Sequence, residues 1–481
     1  MRIRIILCLL ILVAVNGSDL YAQKKSPNIV LIYMDDMGYG DLGCFGATDY
    51  ETPNINQMAT EGMRFTNFLA PQAVCSASRA GLLTGCYPNR IGLAGALFPD
   101  SKKGINTSET MMAELFKQKG YTTAIFGKWH LGTEMPFLPL QRGFDVYFGL
   151  PYSNDMWPYG SGGKVPESKA SQSQFGPLPL MEGNTKVGIV STMEDQSRLT
   201  GLFTERAVQF IKQNKKKPFF LYIPQPMPHV PLAASEKFKG KSGAGVYGDV
   251  MMELDWSVGE VLKTIREQGL EDNTLIILTS DNGPWRKFGN WGGSSGGLRE
   301  GKTTVFEGGQ RVPCVMKWKG NIPAGVVNNK LASSIDLLPT FVAICGLKMP
   351  VNKIDGVDIT DLFKGKAKSS PRRNFYYYFD SNALKAVRRD DWKLMLPHDY
   401  FTYEKDLVGK DGVPGKTTKI NFPMALYDLR QDPGERYDLQ ESYPEIVQEL
   451  QKLAEEARAD LGDDLKAIKG SNRRPVGIVT N

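Results

Sequence analysis

Four short apolar runs, each stopping abruptly at polar or charged residues, constrain this chain more than any other feature. Asn28–Met34 runs into Asp35-Asp36, and 122–126 into Gly127-Lys128-Trp129-His130. Residues 219–223 lead into Pro224, Pro226, Pro228 and then His229, and 274–279 into Ser280-Asp281-Asn282-Gly283. Continuous rather than alternating apolar runs, β-branched and bounded by Gly or Pro, are the pattern of strands covered on both faces. Helical stretches lie between them, at 107–119, 200–214 and 248–269. This alternation predicts an α/β fold whose mostly parallel sheet is sandwiched by helices. Ligands in such sheets sit beyond the carboxyl ends of the strands. Asp35, Asp36, Lys128, His130, His229, Asp281 and Asn282 are therefore expected around one site.

The pattern changes past about residue 370. Short runs at 375–379, 383–388, 392–396 and 425–429, separated by charged turns, predict a small antiparallel sheet. Residues 445–461, with Ile446, Leu450, Leu453 and Leu461 on one face, predict a closing amphipathic helix. The expected organisation is a leader over 1–22, a main domain over 23–370 and a C-terminal antiparallel subdomain over 371–481. The Gly-, Ser- and Pro-rich stretch 160–186 reads as an excursion over the surface.

Arg2 and Arg4 precede the apolar run 5–15, and Leu20-Tyr21-Ala22 follows, which is the three-part form of a secretory signal. The run is too short for a permanent span, so cleavage near Ala22 and export to the periplasm or outside the cell are expected. An uncleaved anchor is the alternative. Cys8 lies inside the apolar run rather than at its end, which disfavours a lipoprotein. Cys44, Cys75, Cys86, Cys314 and Cys345 remain, an odd number with no CxxC spacing, so neither a disulfide framework nor zinc is indicated. A formal charge of +6 on 481 residues is small and argues against nucleic acid as the main partner. It leaves room for an anionic substrate.

Asp35, Asp36, Asp281 and Asn282 offer only hard oxygen ligands, which suit Ca²⁺ or Mg²⁺. Paired acids after a strand also fit a turn with a helix cap, but a second acid-amide pair after another buried strand favours the metal. Two of the chain's three His, His130 and His229, fall in these strand-end loops. Lys128 and Lys302 would add positive charge opposite an anion. In Cys75-Ser76-Ala77-Ser78-Arg79, Cys75 precedes a helical stretch and Arg79 follows four residues on, so the two can share a face. A buried small hydrophobe is the alternative fate of such a Cys.

These residues resemble the type I sulfatases. The signature is Cys75-x-Ala77-x-Arg79 followed by Leu83-Thr84-Gly85. Further matching motifs run in order from Pro27 to Leu461. They are Asp35-Asp36-Met37-Gly38-Tyr39-Gly40-Asp41, Gly127-Lys128-Trp129-His130-Leu131-Gly132, Ser280-Asp281-Asn282-Gly283-Pro284, Gly301-Lys302-Thr303 through Glu307-Gly308-Gly309, Trp392-Lys393-Leu394 and Asp432-Pro433-Gly434-Glu435. Gly143-Phe144-Asp145 through Ser153-Asn154-Asp155 is similar to the branch containing arylsulfatase A and N-acetylgalactosamine-6-sulfatase. Ala77 stands where most members have Pro and bears on which maturation enzyme acts, with the oxygen-independent bacterial type expected. Asn154 stands where close relatives often have His.

The resemblance implies an alkaline-phosphatase-like fold and a sulfate ester hydrolase. Cys75 would be oxidised to formylglycine by a maturation enzyme, and one hydroxyl of its hydrate would attack sulfur. The cation, Ca²⁺ with Mg²⁺ as the alternative, would be held by Asp35, Asp36, Asp281 and Asn282. Arg79 would hold the diol and the carboxylates. Lys128, Ser153, His229 and Lys302 would bind sulfate oxygens. His229 would protonate the departing sugar oxygen, with Lys302 as the alternative, and His130 would take a proton from the second hydroxyl to expel sulfate.

A sulfated galactose or N-acetylgalactosamine-type residue of a glycan, attacked from its end, is the expected substrate. Sugar contacts are expected from Trp157-Pro158-Tyr159, from Trp285-Arg286 through Trp291, and from Pro397-His398-Asp399-Tyr400, with Arg286 and His398 among the binding residues. A two-zinc phosphomonoesterase would need more His than this chain has. A phosphodiester or phosphonate monoester hydrolase of the same superfamily and a glycan-binding pseudo-sulfatase with Cys75 unmodified are the competing functions.

Overall fold

The structure, a computed structural model, describes residues 26–164, 175–403 and 408–480. The expected leader, 1–22, lies outside the described residues. In chain order the first strands are β1 (Asn28–Met34), β2 (Met63–Leu69), β3 (Lys103–Gly104), β4 (Thr122–Lys128), β5 (Val146–Leu150), β6 (Leu178–Glu182), β7 (Thr185–Val190), β8 (Phe219–Pro224), β9 (Thr274–Ser280), β10 (Arg311–Lys317), β11 (Val326–Asn328) and β12 (Ala332–Ser333). The α-helices are α1 (Pro53–Thr60), α2 (Cys75–Thr84), α3 (Met112–Gln118), α4 (Met193–Asn214), α5 (Gly245–Glu267), α6 (Glu307–Gln310), α7 (Leu337–Cys345), α8 (Thr360–Phe363) and α9 (Pro444–Leu461).

Strand β1 shows why its sequence is apolar throughout Ile29–Met34. Successive side chains point to opposite faces of a strand. Ile29, Leu31 and Tyr33 join a cluster with Leu82 and Leu83 of α2, Phe116 of α3 and Phe341 of α7. Val30, Ile32 and Met34 join another with Phe203 of α4 and Val250 and Leu254 of α5. Helices cover both faces, so the one polar residue of β1 is Asn28 at its first position, whose side-chain amide is satisfied by Thr274 Oγ1 and the Phe219 N–H.

The main sheet runs β11-β2-β10-β9-β1-β8-β4-β5-β6-β7. From β9 to β5 it is parallel, as expected. Two antiparallel extensions flank that centre. On one side β10 pairs antiparallel with both β9 and β2. On the other, β6 and β7 form a hairpin on β5, which corrects the reading of 160–186 as a surface excursion. Part of that stretch, 165–174, lies outside the described residues. The rest begins the hairpin, whose Gly183-Asn184 turn has Gly183 at φ 58°. Its last strand is an edge with one buried position in six, and its Val187 and Ile189 side chains are exposed, so it lacks the both-faces burial of the central strands.

Beyond residue 370 come β13 (Asn374–Phe379), β14 (Ala383–Arg389), β15 (Trp392–Met395), β16 (His398–Thr402), β17 (Thr418–Phe422), β18 (Ala425–Asp428) and β19 (Gly477–Ile478). Strands β13-β14-β15-β18 form an antiparallel sheet, and Leu450, Leu453 and Ala457 of α9 share its apolar cluster. This part is tied back to the main sheet's layers. Arg90 pairs with both Asp355 and Asp460 at 2.6 Å, and β19 pairs with β3. Among the described residues no helix is long and apolar enough to cross a membrane, and Cys44, Cys75, Cys86, Cys314 and Cys345 are all free thiols.

Candidate active site

The carboxyl ends of β1, β4 and β9 and the loop after β8 meet where the sequence placed them. Asp35 and Asp36 follow β1, Lys128 ends β4, His229 follows β8, and Asp281 and Asn282 follow β9, all of them buried. The N–H of Asp281 donates to the Met34 carbonyl, so the two acidic loops leave the sheet together. Asp36 adopts φ 63°, a left-handed conformation that an ordinary side chain holds only when its surroundings enforce it. Its N–H donates to Asp281 Oδ1 at 3.0 Å. Gly283 gives this loop room: a Cβ there would stand 1.8 Å from the Gly308 carbonyl at the start of α6.

Three cations face three carboxylates. Arg79 donates to Asp281 Oδ2 through Nε at 3.1 Å and Nη2 at 2.8 Å, and its Nη2 lies 3.4 Å from Asp35 Oδ1. Lys128 Nζ donates to Asp35 Oδ2 at 2.5 Å and to Ser153 Oγ at 2.9 Å. Lys302 Nζ sits 2.7 and 2.8 Å from the two oxygens of Asp36 and 4.3 Å from the centre of the Trp285 ring. Burial alone would raise the Asp35 pKa, but Lys128 and Arg79 outweigh it and hold the group well below the usual carboxylate range. Asp281 moves the other way, because burial and the neighbouring Asp35 charge overcome the pull of Arg79. Cys75, the first residue of α2, has Sγ 3.9 Å from Lys302 Nζ. Burial raises its thiol pKa, with Lys128 and Lys302 offsetting only part. As an unmodified side chain it is a protonated thiol and a weak nucleophile.

The donor set fits a hard divalent cation. Asp35 Oδ1 and Asn282 Oδ1 are buried and accept no hydrogen bond, a costly state unless something else meets those lone pairs. Ligand atoms of Asp35, Cys75 and Asp281 lie within 4.8 Å of one another, as do those of Asp35, Asp36 and His229. Carboxylate and amide oxygens in this number suit Ca²⁺ or Mg²⁺.

Backbone carbonyls orient both histidines. His229 Nδ1 donates to the Val230 carbonyl at 2.6 Å, and its Nε2 faces Asp36 Oδ2 at 3.5 Å. His130 Nε2 is 2.8 Å from the Leu97 carbonyl, and its buried Nδ1 has no hydrogen-bond partner. Burial, then Lys128, pulls His130 well below the ordinary histidine range, so its ring is neutral and Nδ1 is an open acceptor.

The expected sugar contacts divide. Trp285 stands 5.4 Å from the His229 ring and walls the site. Arg286 is partly exposed just after it, with no ion pair among the described residues. Trp157 is a correction: it is fully buried, with its indole N–H on the Gly160 carbonyl, and has no face to offer a sugar. His398 is 4% exposed, its Nδ1 bonds the Leu396 carbonyl, its Nε2 has no hydrogen-bond partner among the described residues, and its ring packs near Tyr400 and Phe422. Nothing described links it to the Asp35–Lys302 cluster. Tyr400 is likewise turned inward, onto Glu300.

Glu300 and Tyr403 are the supporting residues that sequence reasoning missed. The Glu300 carboxylate accepts from Tyr400, Thr402 and the Tyr403 N–H, and the Tyr403 hydroxyl donates to the Lys302 carbonyl at 3.1 Å. The β16–β17 hairpin thus grips the loop carrying Lys302, where Glu300 and Thr303 have φ 58° and 71°. A hundred residues separate the partners in the chain, and no local pattern marks them.

Comparison with known proteins agrees with this geometry. The sulfatase family model matches residues 27–347, and the model for the C-terminal region of aryl-sulfatase matches 370–476. Human arylsulfatase A is 38% identical over 456 residues, covering 90% of this chain and 88% of its own. Mouse N-acetylgalactosamine-6-sulfatase is 36% identical, covering 94% and 90%. Among solved structures, the PsFucS1 sulfatase from Pseudoalteromonas sp. superimposes with a TM-score of 0.81 at 28% identity, covering 95% of this chain and 93% of its own. The chain belongs to the sulfatase family and is a sulfuric ester hydrolase.

Proposed function

We propose that the protein is an exported carbohydrate sulfatase that removes a sulfate monoester from a terminal galactose- or N-acetylgalactosamine-type residue. It uses a formylglycine made from Cys75 by an oxygen-independent maturation enzyme, and a divalent cation, Ca²⁺ in preference to Mg²⁺. The observation that carries this reading is the position of Cys75 Sγ, within 4.8 Å of carboxylate oxygens of Asp35 and Asp281 and 3.9 Å from Lys302 Nζ. N-acetylgalactosamine-6-sulfatases among the relatives support the sugar class, and the leader-like N-terminus supports export.

Asp35, Asp36, Asp281 and Asn282 would hold the cation. Bound there, the cation supplies Lewis-acid polarisation, and the hydrated formylglycine supplies one hydroxyl to attack sulfur and a second whose deprotonation releases sulfate. Arg79 keeps Asp281 and Asp35 in place through its fork of N–H groups. Lys128, Ser153 and Lys302 present donors and positive charge to the sulfate oxygens, where they are preorganised because all three are already fixed by buried partners. With its Nδ1 proton on the Val230 carbonyl, His229 acts as general acid in its doubly protonated form, giving its Nε2 proton to the departing sugar oxygen. His130 Nδ1 accepts the proton of the second hydroxyl. The burial of every member keeps bulk water from competing.

The test is the mass of the Cys75 peptide from protein co-expressed with the anaerobic maturation enzyme, followed by sulfate release from a panel of sulfated sugars. An aldehyde at Cys75 with release from a sulfated galactose or N-acetylgalactosamine is expected. Folded protein with an unmodified thiol, or an aldehyde-bearing protein that cleaves phosphate diesters and no sulfated sugar, would overturn the reading.

A further inference from the structure

A cleft of about 740 Å³ opens between the outer edge of the main sheet and the C-terminal subdomain, lined by six cationic side chains, Arg311, Lys330, Lys368, Arg372, Arg373 and Arg430, against two carboxylates, Asp390 and Asp391. None of its lining residues belongs to the catalytic cluster. The volume is in the range of a ligand site. The chain as a whole carries only +6, so this is a local concentration of charge.

The six cations are not equivalent. Arg311 is held by Glu307 at 2.7 Å, Arg372 by both oxygens of Asp336, and Arg373 by Asp390. Arg311 and Arg372 are buried in their pairs, and Arg373 is paired at the surface. Lys330 and Lys368 make no ion pair among the described residues, and Arg430 comes no nearer than 3.9 Å to its carboxylate, Asp428. Lys368 and Arg430 are exposed and Lys330 is half-buried. Uncompensated charges along a concave wall focus the field in the cleft rather than dispersing it over a convex surface. Tyr39, Leu331 and Pro433 add apolar lining, and Thr66, Asn67 and Asn329 add hydrogen-bonding groups.

The geometry points to a second, non-catalytic binding site in this cleft for a segment of anionic polysaccharide, with Lys330 and Lys368 as its unpaired cations and the loosely paired Arg430 as a third. The choice of a glycan rests on the carbohydrate reading above, since a polymer carrying the scissile sulfate carries others of the same kind. A nucleic acid fits less well: Tyr39 is the single aromatic residue lining the cleft, whereas single strands are held by successive stacked rings. Asp41, five residues beyond Asp36, is two positions from Tyr39, and Glu307, the partner of Arg311, opens the helix whose Gly308 packs on Gly283. A polymer held here is thus anchored on the scaffold that supports the catalytic loops.

The test compares the full-length protein with a cleft variant, Lys330→Ser/Lys368→Ser/Arg430→Ser, and with a charge-matched control, Lys212→Ser/Lys215→Ser/Lys216→Ser, altered at and just beyond the end of α4. Binding of dextran sulfate is measured against neutral dextran, with polyglutamate and single-stranded DNA as competitors. Hydrolysis of an activated aryl sulfate reports the catalytic site. The expected result is at least about tenfold weaker dextran sulfate binding in the cleft variant alone, with aryl sulfate hydrolysis unchanged. Equal losses in both variants, no loss in the cleft variant, or equally good competition by polyglutamate or DNA would overturn the proposal. Failure to release sulfate from any sugar would instead count against the proposed function and leave the binding comparison intact.

Discussion

Lys302 Nζ lies 3.9 Å from Cys75 Sγ while both oxygens of Asp36 hold it at 2.7 and 2.8 Å. A fixed positive charge therefore stands beside the position of the nucleophile before any substrate enters. Lys302→Met keeps the length of the side chain and removes that charge. It is expected to lower kcat by about 10²- to 10³-fold, the usual cost of losing one preorganised donor. Asp36 keeps its bond from Asn282 Nδ2 at 2.7 Å, so the variant should still fold. Near-normal kcat in the folded variant would remove Lys302 from the chemistry.

His229 is expected to matter in proportion to the quality of the leaving group. Its Nδ1 proton is committed to the Val230 carbonyl, so only Nε2 is free to serve substrate. His229→Ala should cost about 10²-fold or more on a sulfated sugar, whose alkoxide needs a proton, and much less on an activated aryl sulfate. Equal losses on both substrates would rule out general acid catalysis by this ring.

The hairpin that grips the Lys302 loop offers a milder perturbation. Tyr403→Phe deletes the hydroxyl that meets the Lys302 carbonyl at 3.1 Å and Thr303 Oγ1 at 2.9 Å. A loss of about 1 kcal/mol in stability is expected, read by urea denaturation. Activity should fall through the looser placement of Lys302, whereas removal of a hydroxyl that only packs would lower stability and leave kcat/KM intact.

His398 connects the fold to pH. Burial pulls its pKa from the ordinary 6.5 down to about 4, so the folded chain refuses a proton that the unfolded chain accepts between those values. Stability is therefore complete above about pH 6.5 and declines as pH falls toward 4, by up to about 3 kcal/mol from this group. His398→Phe should flatten that acid limb in denaturation curves at pH 7 and pH 4.5. Unchanged KM for a sulfated sugar in the same variant would agree with the packing role, and a large rise would restore His398 as a sugar contact.

Cation binding should register in stability as well as in turnover. Chelation is expected to lower Tm, and Ca²⁺ at about a hundred times its Kd to add about 2.7 kcal/mol. Asn282→Ala removes one of the two buried oxygens that accept no hydrogen bond and should shrink the Ca²⁺-dependent shift. A Tm indifferent to both chelator and Ca²⁺ would contradict a bound cation.

What the sequence determined by itself is the part written in local pattern. Both-faces burial makes the centres of β1, β4, β8 and β9 continuous apolar runs, so the strands, and with them the acidic and basic residues at and just past their ends, are legible one run at a time. The Cys75-to-Arg79 spacing is legible for the same reason, since both lie on one helix, α2. The tertiary structure decided everything that depends on partners distant in the chain. It turned Trp157 and His398 inward, added β6 and β7 as an exposed edge hairpin, and set Glu300 and Tyr403 behind Lys302. An aromatic or imidazole ring has the same identity in a sugar subsite and in a core, and only the packing around it tells which. The cleft cations make the same point: Arg311, Arg372 and Arg373 are paired with carboxylates 4, 36 and 17 residues away, Arg430 reaches Asp428 only at 3.9 Å, and Lys330 and Lys368 make no ion pair among the described residues. Charge is a property of the residue, but its compensation belongs to the fold.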